Sequence, residues 1–397
     1  MGSPDVIVVG LGAMGSAVAH HLARLGAKVL GVDRFHPPHD QGSSHGRTRI
    51  TRLAVGEGAA YVPLVQRSHQ LWQELQPDGG EPLYRRTGGL VIASATADAG
   101  AFHGQSGFFS RTVALAQQFG ITHEILDSAA VRQRHPQFLL RDDEQAYFEP
   151  DAGVLAPERC VAAQLSAAAR CGADLRYGER VLSLSASANT TDSGVRVQTE
   201  RETLHAAQVV LTAGPWVGAL AGPRYAQRLA VQRQVLHWFH TPTPALWSAP
   251  TCPVFIWLHG PRVEDAMYGF PMGDGIDGVK IATEQVTLQT DPDAVERQVS
   301  DDDARAVHNT HIRGRLAGID ATSVATATCL YTSTASGDFI IGPHPDMPQL
   351  TVVSACSGHG FKHSAALGEA LAQQLLGETP RISLAPFAPG FQGHLGR

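Results

Sequence analysis

The sequence predicts an α/β fold to which a second domain of α+β type is added. A strand, a glycine-rich turn and a helix open the chain, and a second junction of this kind lies close to its end. The 397 residues also exceed the length that one hydrophobic core usually supports, which favours two domains. Because the two junctions are so far apart, the domain that they build is expected to be discontinuous in sequence.

The first junction has the order of elements that a dinucleotide requires. The apolar run DVIVVG at 5–10 is followed by the turn GLGAMG at 10–15, a helical pattern up to Gly26 and a second apolar run that ends at Asp33. In this arrangement the glycines permit a tight turn, close approach of a pyrophosphate and packing of the helix on the strand. The positive end of the helix faces the diphosphate, and the acid accepts hydrogen bonds from the ribose hydroxyls.

This unit predicts a Rossmann-type domain that binds a dinucleotide, with Gly10, Gly12, Gly15 and Asp33 at the site. The alternative is a glycine-rich turn in an ordinary βαβ unit. The motif does not by itself distinguish NAD(P) from FAD.

The second junction favours FAD. An apolar strand predicted at 350–355 runs into SGHG at 357–360 and then into a helix predicted over 363–376. A second place where backbone N–H groups meet the cofactor suits FAD better than NAD.

The predicted FAD-binding domain comprises residues 1–81, 151–221 and 326–397. The sequence pattern of residues 82–150 and 222–325 differs from that of these segments. We assign them to a substrate domain with a mixed sheet.

The composition narrows the classes of function. Hydrophobic residues make up 43% and charged residues 17% of the chain, and the formal net charge of −6 comes without a long basic block, which argues against a nucleic-acid partner. No apolar run reaches the ~18 residues of a membrane span, and the chain enters a strand at once, so neither a membrane anchor nor a signal peptide is expected. Five cysteines without CxxC spacing and 19 scattered histidines predict a cytoplasmic protein that holds no metal.

Four further clusters of residues point to chemistry. They are GSSHGRTRITR at 42–52, YGFP with GVK at 268–271 and 278–280, TCLYT at 328–332, and SGHGFK at 357–362. On composition alone, the segment at 42–52 would be interpreted as a solvated basic loop and Lys280 as an exposed lysine. Cys329 would be interpreted as a small buried hydrophobic residue. Lys362 differs, because a cation at a helix N-terminus opposes the helix dipole and is better explained by an anionic ligand.

Together these clusters resemble the monomeric sarcosine oxidase family, flavoenzymes that also include N-methyltryptophan and pipecolate oxidases. The shared motifs, which occur here in the family's order and cover essentially the whole chain, are DVIVVGxGxMG, VDxFxPPH, GSxHGxTRIxR, GEGxxYVPL, FEPxxGVL, YGFP, CxYT and SGHGFK. Eight motifs in one order are far more specific than any of them alone.

The resemblance implies a covalently bound FAD and assigns residues around its ring. Cys329 corresponds to the cysteine that is bonded to the 8α-methyl of the flavin. His45 and Arg49 would lie near the isoalloxazine, where they tune the flavin and assist its attachment. Lys280 matches the family lysine that holds a water near flavin N5 and activates oxygen.

The resemblance also implies a substrate site. Arg52 and Lys362 would bind the substrate carboxylate, and Tyr268 and Tyr331 match aromatic residues that line the substrate pocket. The other residues expected to contact FAD are Gly10, Gly12, Ala13, Met14, Gly15, Asp33, Arg34, Ser44, Thr48, Val181, Gly214, Trp216, Gly358 and Gly360.

This chain departs from the family pattern in the pocket. Family members with small substrates carry a histidine four residues after the oxygen-activating lysine, whereas this chain has Glu284. The segment PVFIWL at 253–258 carries a tryptophan and is followed by GPRVEDAM at 260–267, which resembles an insertion. These departures argue against sarcosine itself as the substrate, and a carboxylate in the pocket would suit a substrate with an additional polar or cationic group. In the alternative, the Glu284 side chain points to solvent.

The resemblance implies an FAD-dependent oxidase of secondary or N-methyl α-amino acids, of the sarcosine or N-methyltryptophan type. It would oxidise the C–N bond to an imine that is then hydrolysed, and reduce O2 to H2O2. The alternatives are an amine dehydrogenase of the same fold with another electron acceptor, an oxidase of cyclic imino acids such as pipecolate or proline, and a nucleotide-binding protein without redox activity. The expected partners are a small amino acid and O2, without nucleic acid or membrane, and the expected state is a cytoplasmic monomer.

Overall fold

The computed structural model describes residues 3–76, 79–187 and 194–390, and its two largest sheets have six and eight strands. The strands are β1 (Val6–Val9), β2 (Val29–Val32), β3 (Arg49–Thr51), β4 (Tyr84–Arg86), β5 (Gly89–Ser94), β6 (Ala101–Phe102), β7 (Gln105–Ser106), β8 (Glu124–Asp127), β9 (Glu144–Glu149), β10 (Gly153–Leu155), β11 (Asp174–Arg176), β12 (Val181–Ala186), β13 (Val195–Thr199), β14 (Thr203–Ala206), β15 (Gln208–Leu211), β16 (Ala230–Phe239), β17 (Val254–Leu258), β18 (Ala266–Gly269), β19 (Val279–Thr283), β20 (Ser323–Ser333), β21 (Ile340–His344) and β22 (Met347–Ser354).

The helices vary from single turns to about four turns. They are α1 (Ala13–Arg24), α2 (Val62–Leu75), α3 (Ala95–Asp98), α4 (Phe108–Gln118), α5 (Ser128–Arg134), α6 (Pro157–Arg170), α7 (Val217–Ala221), α8 (Pro223–Ala226), α9 (Pro244–Trp247), α10 (Asp301–Val307) and α11 (Ser364–Leu375). Short 3-10 turns cover Ala59–Tyr61, Gly214–Trp216, Phe361–His363 and Ala385–Phe387, and a π-helical turn covers His308–Ile312. Within the described part of the chain, each helix is too short or too polar to cross a bilayer.

The six-stranded sheet has the order β11–β2–β1–β15–β22–β21. All neighbouring pairs are parallel except β21 with β22. In β1, Val6 and Val8 face a core built with α1, α6 and α11, whereas Ile7 and Val9 face a core shared with the β12–β13–β14 sheet. Both faces are covered, so the strand reads as a continuous apolar run.

The turn after β1 brings helix α1 against the sheet. Gly10 has φ 89°, and a Cβ at Gly15 would lie 1.8 Å from the carbonyl oxygen of Gly10. A side chain at Gly15 is therefore incompatible with this packing. The roles predicted for these two glycines in the turn agree with the observed geometry.

The eight-stranded sheet has the order β20–β16–β19–β18–β17–β5–β9–β8. It is mixed, because β5 and β17 are parallel whereas the other neighbours are antiparallel. A smaller sheet, β3–β10–β4, packs beside it through Ile50, Val154, Val254 and Phe270. These sheets confirm the predicted α/β class with an added layer of mixed strands.

The division of the chain into two domains at the predicted boundaries stays a prediction. The six-stranded sheet draws its strands from residues 6–32, 174–211 and 340–354, and the eight-stranded sheet takes its strands from residues 89–149, 230–283 and 323–333. Strand β20 crosses the predicted boundary at 325/326, which places Cys329 on the eight-stranded sheet.

Candidate active site

A cavity of about 660 Å³ extends from the turn after β1 to the face of the eight-stranded sheet. Gly10, Asp33 and Gly214 line one end. Arg52 and Lys362 line the other. The cavity therefore joins the glycine turn to the cluster that the sequence associates with an anionic ligand.

The end near β1 is shaped for a nucleotide. The Asp33 carboxylate accepts hydrogen bonds from the backbone N–H groups of Leu11 (2.6 Å) and Phe35 (2.8 Å), which fix its position. Burial raises the pKa of Asp33, although these N–H groups act to lower it. Helix α1 begins after Gly12, which has no side chain to cap it, and Ala13 N–H donates to Ser44 Oγ at 3.1 Å. An anion at this helix N-terminus would meet unsatisfied N–H groups and the positive end of the dipole.

A segment between β19 and α10 closes this end of the cavity from the opposite side. The Asp293 carboxylate accepts hydrogen bonds from the Arg34 guanidinium and from Trp216 Nε1, the latter at 2.8 Å. Arg180 lies 3.4 Å from the same carboxylate, and the nearby Arg297 donates to the carbonyl oxygen of Gln41 at 3.0 Å. The segment that follows β19 thus contributes a wall to the nucleotide end.

Lys280 lies on the central strand β19 and is only 2% exposed, so it is not the exposed lysine that composition alone would suggest. Its Nζ contacts the carbonyl oxygens of Gly46 (2.6 Å) and Thr48 (3.1 Å) and the Thr48 hydroxyl (2.9 Å), and it stands 4.6 Å from the ring centroid of Phe270. Burial, and then the positive charge of Arg49, lower the pKa of Lys280 well below its usual value. The strand therefore holds a lysine against the basic loop at 42–52.

His45 and Arg49 belong to this loop. Arg49 donates to the carbonyl oxygens of Ser43 (2.7 Å) and Thr48 (2.8 Å). Burial, and then the charge of Arg49, lower the pKa of His45 to about 4, so its imidazole is neutral at pH 7. Within the described residues, the buried His45 Nε2 has no hydrogen-bond partner.

Two cysteines lie at this part of the site. Cys329 is 1% exposed on β20, where it packs with Leu236 and Trp238 and shares the strand face of Tyr331. Burial raises the pKa of the Cys329 thiol, while the nearby cations act to lower it. Cys356 lines the cavity itself.

Two tyrosines join these strands at the cavity wall. The hydroxyl groups of Tyr268 on β18 and Tyr331 on β20 are 3.2 Å apart, so one donates to the other. Burial raises the pKa of both, so both are neutral phenols at pH 7. They form a wall with a polar edge between Lys280 and the charged end of the cavity.

Five ionisable side chains converge at that charged end, and we call them the ionic cluster: Arg52, Glu57, His103, Glu284 and Lys362. Glu57 lies 2.9 Å from Arg52 Nη2, 3.4 Å from Lys362 Nζ and 3.3 Å from His103 Nδ1. His103 Nε2 lies 2.5 Å from Glu284. Each of the five is less than a tenth exposed, so the contacts are shielded from solvent.

Because the cluster is shielded from solvent, burial and the neighbouring charges shift the pKa values of its members. Burial acts to raise the pKa of Glu57, but Arg52 and Lys362 hold it well below its usual value. Burial alone would lower the pKa of His103, but Glu284 and Glu57 raise it to about 9. Burial lowers the pKa of Lys362 to about 8, against the opposing effect of Glu57. The cluster therefore combines three basic side chains, Arg52, His103 and Lys362, with the two carboxyl groups of Glu57 and Glu284.

The alternative in which Glu284 points to solvent is wrong. Its side chain is 8% exposed, lines the cavity and pairs with His103. Most other predicted site residues also line this cavity: Gly10, Gly12, Ala13, Met14, Asp33, Arg34, Ser44, Thr48, Arg49, Arg52, Val181, Gly214, Trp216, Tyr268, Tyr331, Gly358, Gly360 and Lys362. Gly15, His45, Lys280 and Cys329 do not line it and lie behind its wall.

Sequence reasoning missed three residues of the site. Glu57 lies inside the GEGxxYVPL motif, which could have identified it as a site residue, but the motif alone suggests no role for it. His103 and Asp293 lie outside every motif, and their contacts join segments that are far apart in sequence. Among the described residues, no group of three or more His, Cys, Asp or Glu side chains is arranged to hold a metal ion.

The residues fit FAD, a group that the fold implies. The start of α1 offers N–H groups to a diphosphate, the fixed Asp33 offers a carboxylate to a ribose, and the cavity continues past Arg49 to the ionic cluster. A mostly parallel sheet that is covered on both faces and adjoins this cavity is typical of a dinucleotide-binding protein.

The comparison with known proteins identifies the family. The profile of the FAD dependent oxidoreductase family matches residues 5–374, and the chain belongs to this family. It is 36% identical to a monomeric sarcosine oxidase of Streptomyces avermitilis, over 97% of both chains. It is 34% identical to an N-methyl-L-tryptophan oxidase of Salmonella heidelberg, over 96% of this chain and 97% of that one.

Solved structures show the same fold. The open form of NikD, an amino acid oxidase that is essential for nikkomycin biosynthesis, superposes with a TM-score of 0.80 over 98% of both chains at 24% identity. The predicted FAD-binding fold and the predicted class, a flavin-dependent amine or amino acid oxidase family, are thereby confirmed.

Proposed function

We propose that this protein is an FAD-dependent oxidase of secondary or N-methyl α-amino acids that uses O2 as acceptor and releases H2O2. The observation that carries the proposal is the pair of buried cations, Arg52 and Lys362, at the end of the cavity opposite the nucleotide site. Cations in a low-dielectric site bind a carboxylate much more strongly than they do in water. An α-amino acid presents such a carboxylate next to the bond that is to be oxidised.

In this proposal, Arg52 and Lys362 bind the carboxylate and so fix the orientation of the substrate. When bound, FAD supplies the acceptor for the two electrons of C–N oxidation, which gives an imine that water hydrolyses. Tyr268 and Tyr331 line the cavity beside the cation pair and exclude water from the reacting part of the substrate. Such fixed orientation can supply several orders of magnitude of rate.

We propose that Lys280 promotes the reaction with O2. Its ammonium group would stabilise the negative charge that O2 acquires on reduction. The proposal is supported by its position beside the loop at 42–52 and by its burial, which keeps the site dry. Because the pKa of Lys280 is lowered, this effect is present at low pH and is lost as the pH rises through that pKa.

We propose that FAD is attached covalently through Cys329. This assignment is supported by the position of Cys329 in one cluster with Tyr331 and by the nearby Arg49 and Lys280, whose charges oppose the rise in the pKa of the thiol that burial causes. His45 and Arg49 are proposed to lie beside the flavin ring.

We further propose the two-domain division at the boundaries given above, and a cytoplasmic monomer. The five cysteines are all free, which supports a reducing compartment.

The proposed function is tested with purified protein in an oxygen electrode. Sarcosine, N-methyltryptophan, proline and pipecolate are supplied without an added electron acceptor, and peroxide is measured in the same samples. Substrate-dependent O2 uptake with equal formation of H2O2 supports the proposal. Bleaching of the flavin by a substrate under anaerobic conditions without O2 uptake in air would identify a dehydrogenase, and a colourless protein would refute redox activity.

A further inference from the structure

The two cations that are proposed to bind the substrate carboxylate already contact a carboxylate of the protein. Glu57 lies between Arg52 and Lys362, at 2.9 and 3.4 Å, and all three side chains are buried. A substrate carboxylate that binds both cations must therefore take the place of Glu57 on them, or share them with it. Because a buried carboxylate that loses its partners is strongly destabilised, this exchange is favourable only if Glu57 keeps a positive partner.

His103 provides that partner. Its Nδ1 lies 3.3 Å from Glu57 Oε1, the oxygen that also lies near Lys362 Nζ, whereas Arg52 contacts Glu57 Oε2. Its Nε2 lies 2.5 Å from Glu284, which favours the protonated ring. The pKa of His103 is raised to about 9 by these carboxylates, so the imidazolium is present at pH 7.

The backbone holds His103 in this place. It stands at the tip of the β6–β7 hairpin with φ 49°, a conformation that is uncommon outside glycine. The hairpin tip packs against the turn at 334–338, because a Cβ at Gly337 would lie 2.5 Å from the His103 carbonyl oxygen. The imidazole of His359, whose pKa burial lowers to about 3, is the neutral neighbour at 5.2 Å between ring centroids.

We propose that His103 is a positioning residue that holds Glu57 when the substrate carboxylate takes over Arg52 and Lys362, and that Glu284 keeps His103 charged for this purpose. The inference rests on the proposed function, because it assumes that the two cations bind a carboxylate. The ionic cluster holds three basic side chains and two carboxyl groups, so one further carboxylate makes their numbers equal. The cluster therefore favours a monocarboxylate whose side chain is uncharged, rather than the cationic side chain that Glu284 alone would suggest.

The test compares carboxylate binding in four holoenzymes: the wild type, His103→Gln, Glu57→Gln and the double variant. Acetate is the probe, and its dissociation constant is measured at pH 7 from the change in flavin absorbance. His103→Gln should weaken acetate roughly 10- to 100-fold, because Glu57 then competes for the cations. Glu57→Gln should bind acetate at least as tightly as the wild type, since the competitor is gone.

The double variant distinguishes this role from a structural one. It should bind acetate as Glu57→Gln does, because without the carboxylate there is nothing for His103 to hold. Since it carries the same change at His103, normal binding also shows that the change is compatible with folding. His240→Gln is the matched control, because His240 pairs with Asp320 on the surface, with a half-exposed side chain.

Several outcomes overturn the inference. Acetate binding that is unchanged in His103→Gln contradicts it while leaving the proposed function intact, and so does a double variant as weak as His103→Gln. A wild-type protein that binds no acetate contradicts the carboxylate site itself, and with it both the proposed function and this inference.

Discussion

Replacing Lys280 by methionine tests the proposed oxygen chemistry most directly. Methionine keeps an unbranched apolar stem but removes the only charge on the side chain. The site is dry, since Lys280 is 2% exposed and its Nζ contacts the carbonyl oxygens of Gly46 and Thr48 and the Thr48 hydroxyl. A preorganised charge or donor in such a site commonly contributes on the order of 3–4 kcal/mol, so we expect O2 to reoxidise the reduced enzyme roughly 100- to 1000-fold more slowly.

The two half-reactions are measured separately by stopped-flow spectroscopy. Anaerobic bleaching by substrate should change much less than the return of colour with O2, because Arg52 and Lys362 remain to orient the substrate. In the wild type, the rate with O2 should fall as the pH rises through the lowered pKa of Lys280, and the variant should lose this dependence. Lys28→Met, on the surface, is the control.

The variant also removes the hydrogen bonds of Nζ, at about 0.5–1.5 kcal/mol each, although the carbonyl oxygens of Gly46 and Thr48 keep the Thr48 N–H and Arg49 Nη1 as donors. Unfolding curves in urea therefore accompany the kinetics, so that a loss of folded protein is not read as a loss of rate. Collapse of the reductive half-reaction with normal reoxidation would show that Lys280 acts on substrate, and our reasoning about its role would be wrong.

The remaining predictions concern the flavin, the substrate and the turn. Cys329→Ser should release its flavin on acid precipitation while Cys356→Ser retains it; the opposite result would place the bond on Cys356. Arg52→Met or Lys362→Met should lower kcat/KM for N-methyl amino acids by an amount that corresponds to about 2–4 kcal/mol. Amines that lack a carboxylate should change little. Equal losses of kcat/KM for the two kinds of substrate would indicate an effect on the flavin or the fold. In the wild type, KM for the carboxylate substrate should rise as the pH passes about 8, where Lys362 loses its charge. Gly15→Ala should lower the free energy of unfolding by about 1–3 kcal/mol or more and reduce FAD content, because its Cβ would lie 1.8 Å from a backbone oxygen; normal FAD content with an unchanged urea midpoint would contradict this.

The sequence predicted local elements better than it predicted long-range contacts. The glycine turn, its helix and Asp33 are close in sequence, and their spacing specifies the geometry that the structure shows. The burial of Lys280 was not evident from its own strand, because it depends on the loop at 42–52, which packs over it.

The ionic cluster shows the limit of such reasoning. His103 is brought to Glu57 and Glu284 by a hairpin whose sequence carries no recognisable motif, and Glu284 is 181 positions from His103 in the chain. The position of Glu284 in the chain suggested a pocket residue. Its partner could be known only once three separate segments had been folded together.

The contact of Asp293 with Arg34 and Trp216 has a consequence for the way such enzymes diversify. One side of the contact belongs to the nucleotide sheet, and the other follows a strand of the eight-stranded sheet. A chimera that combines the two halves of different relatives would have to carry both partners of this contact. A chimera that replaced only one partner would lose this link between the two sheets at the nucleotide end of the cavity.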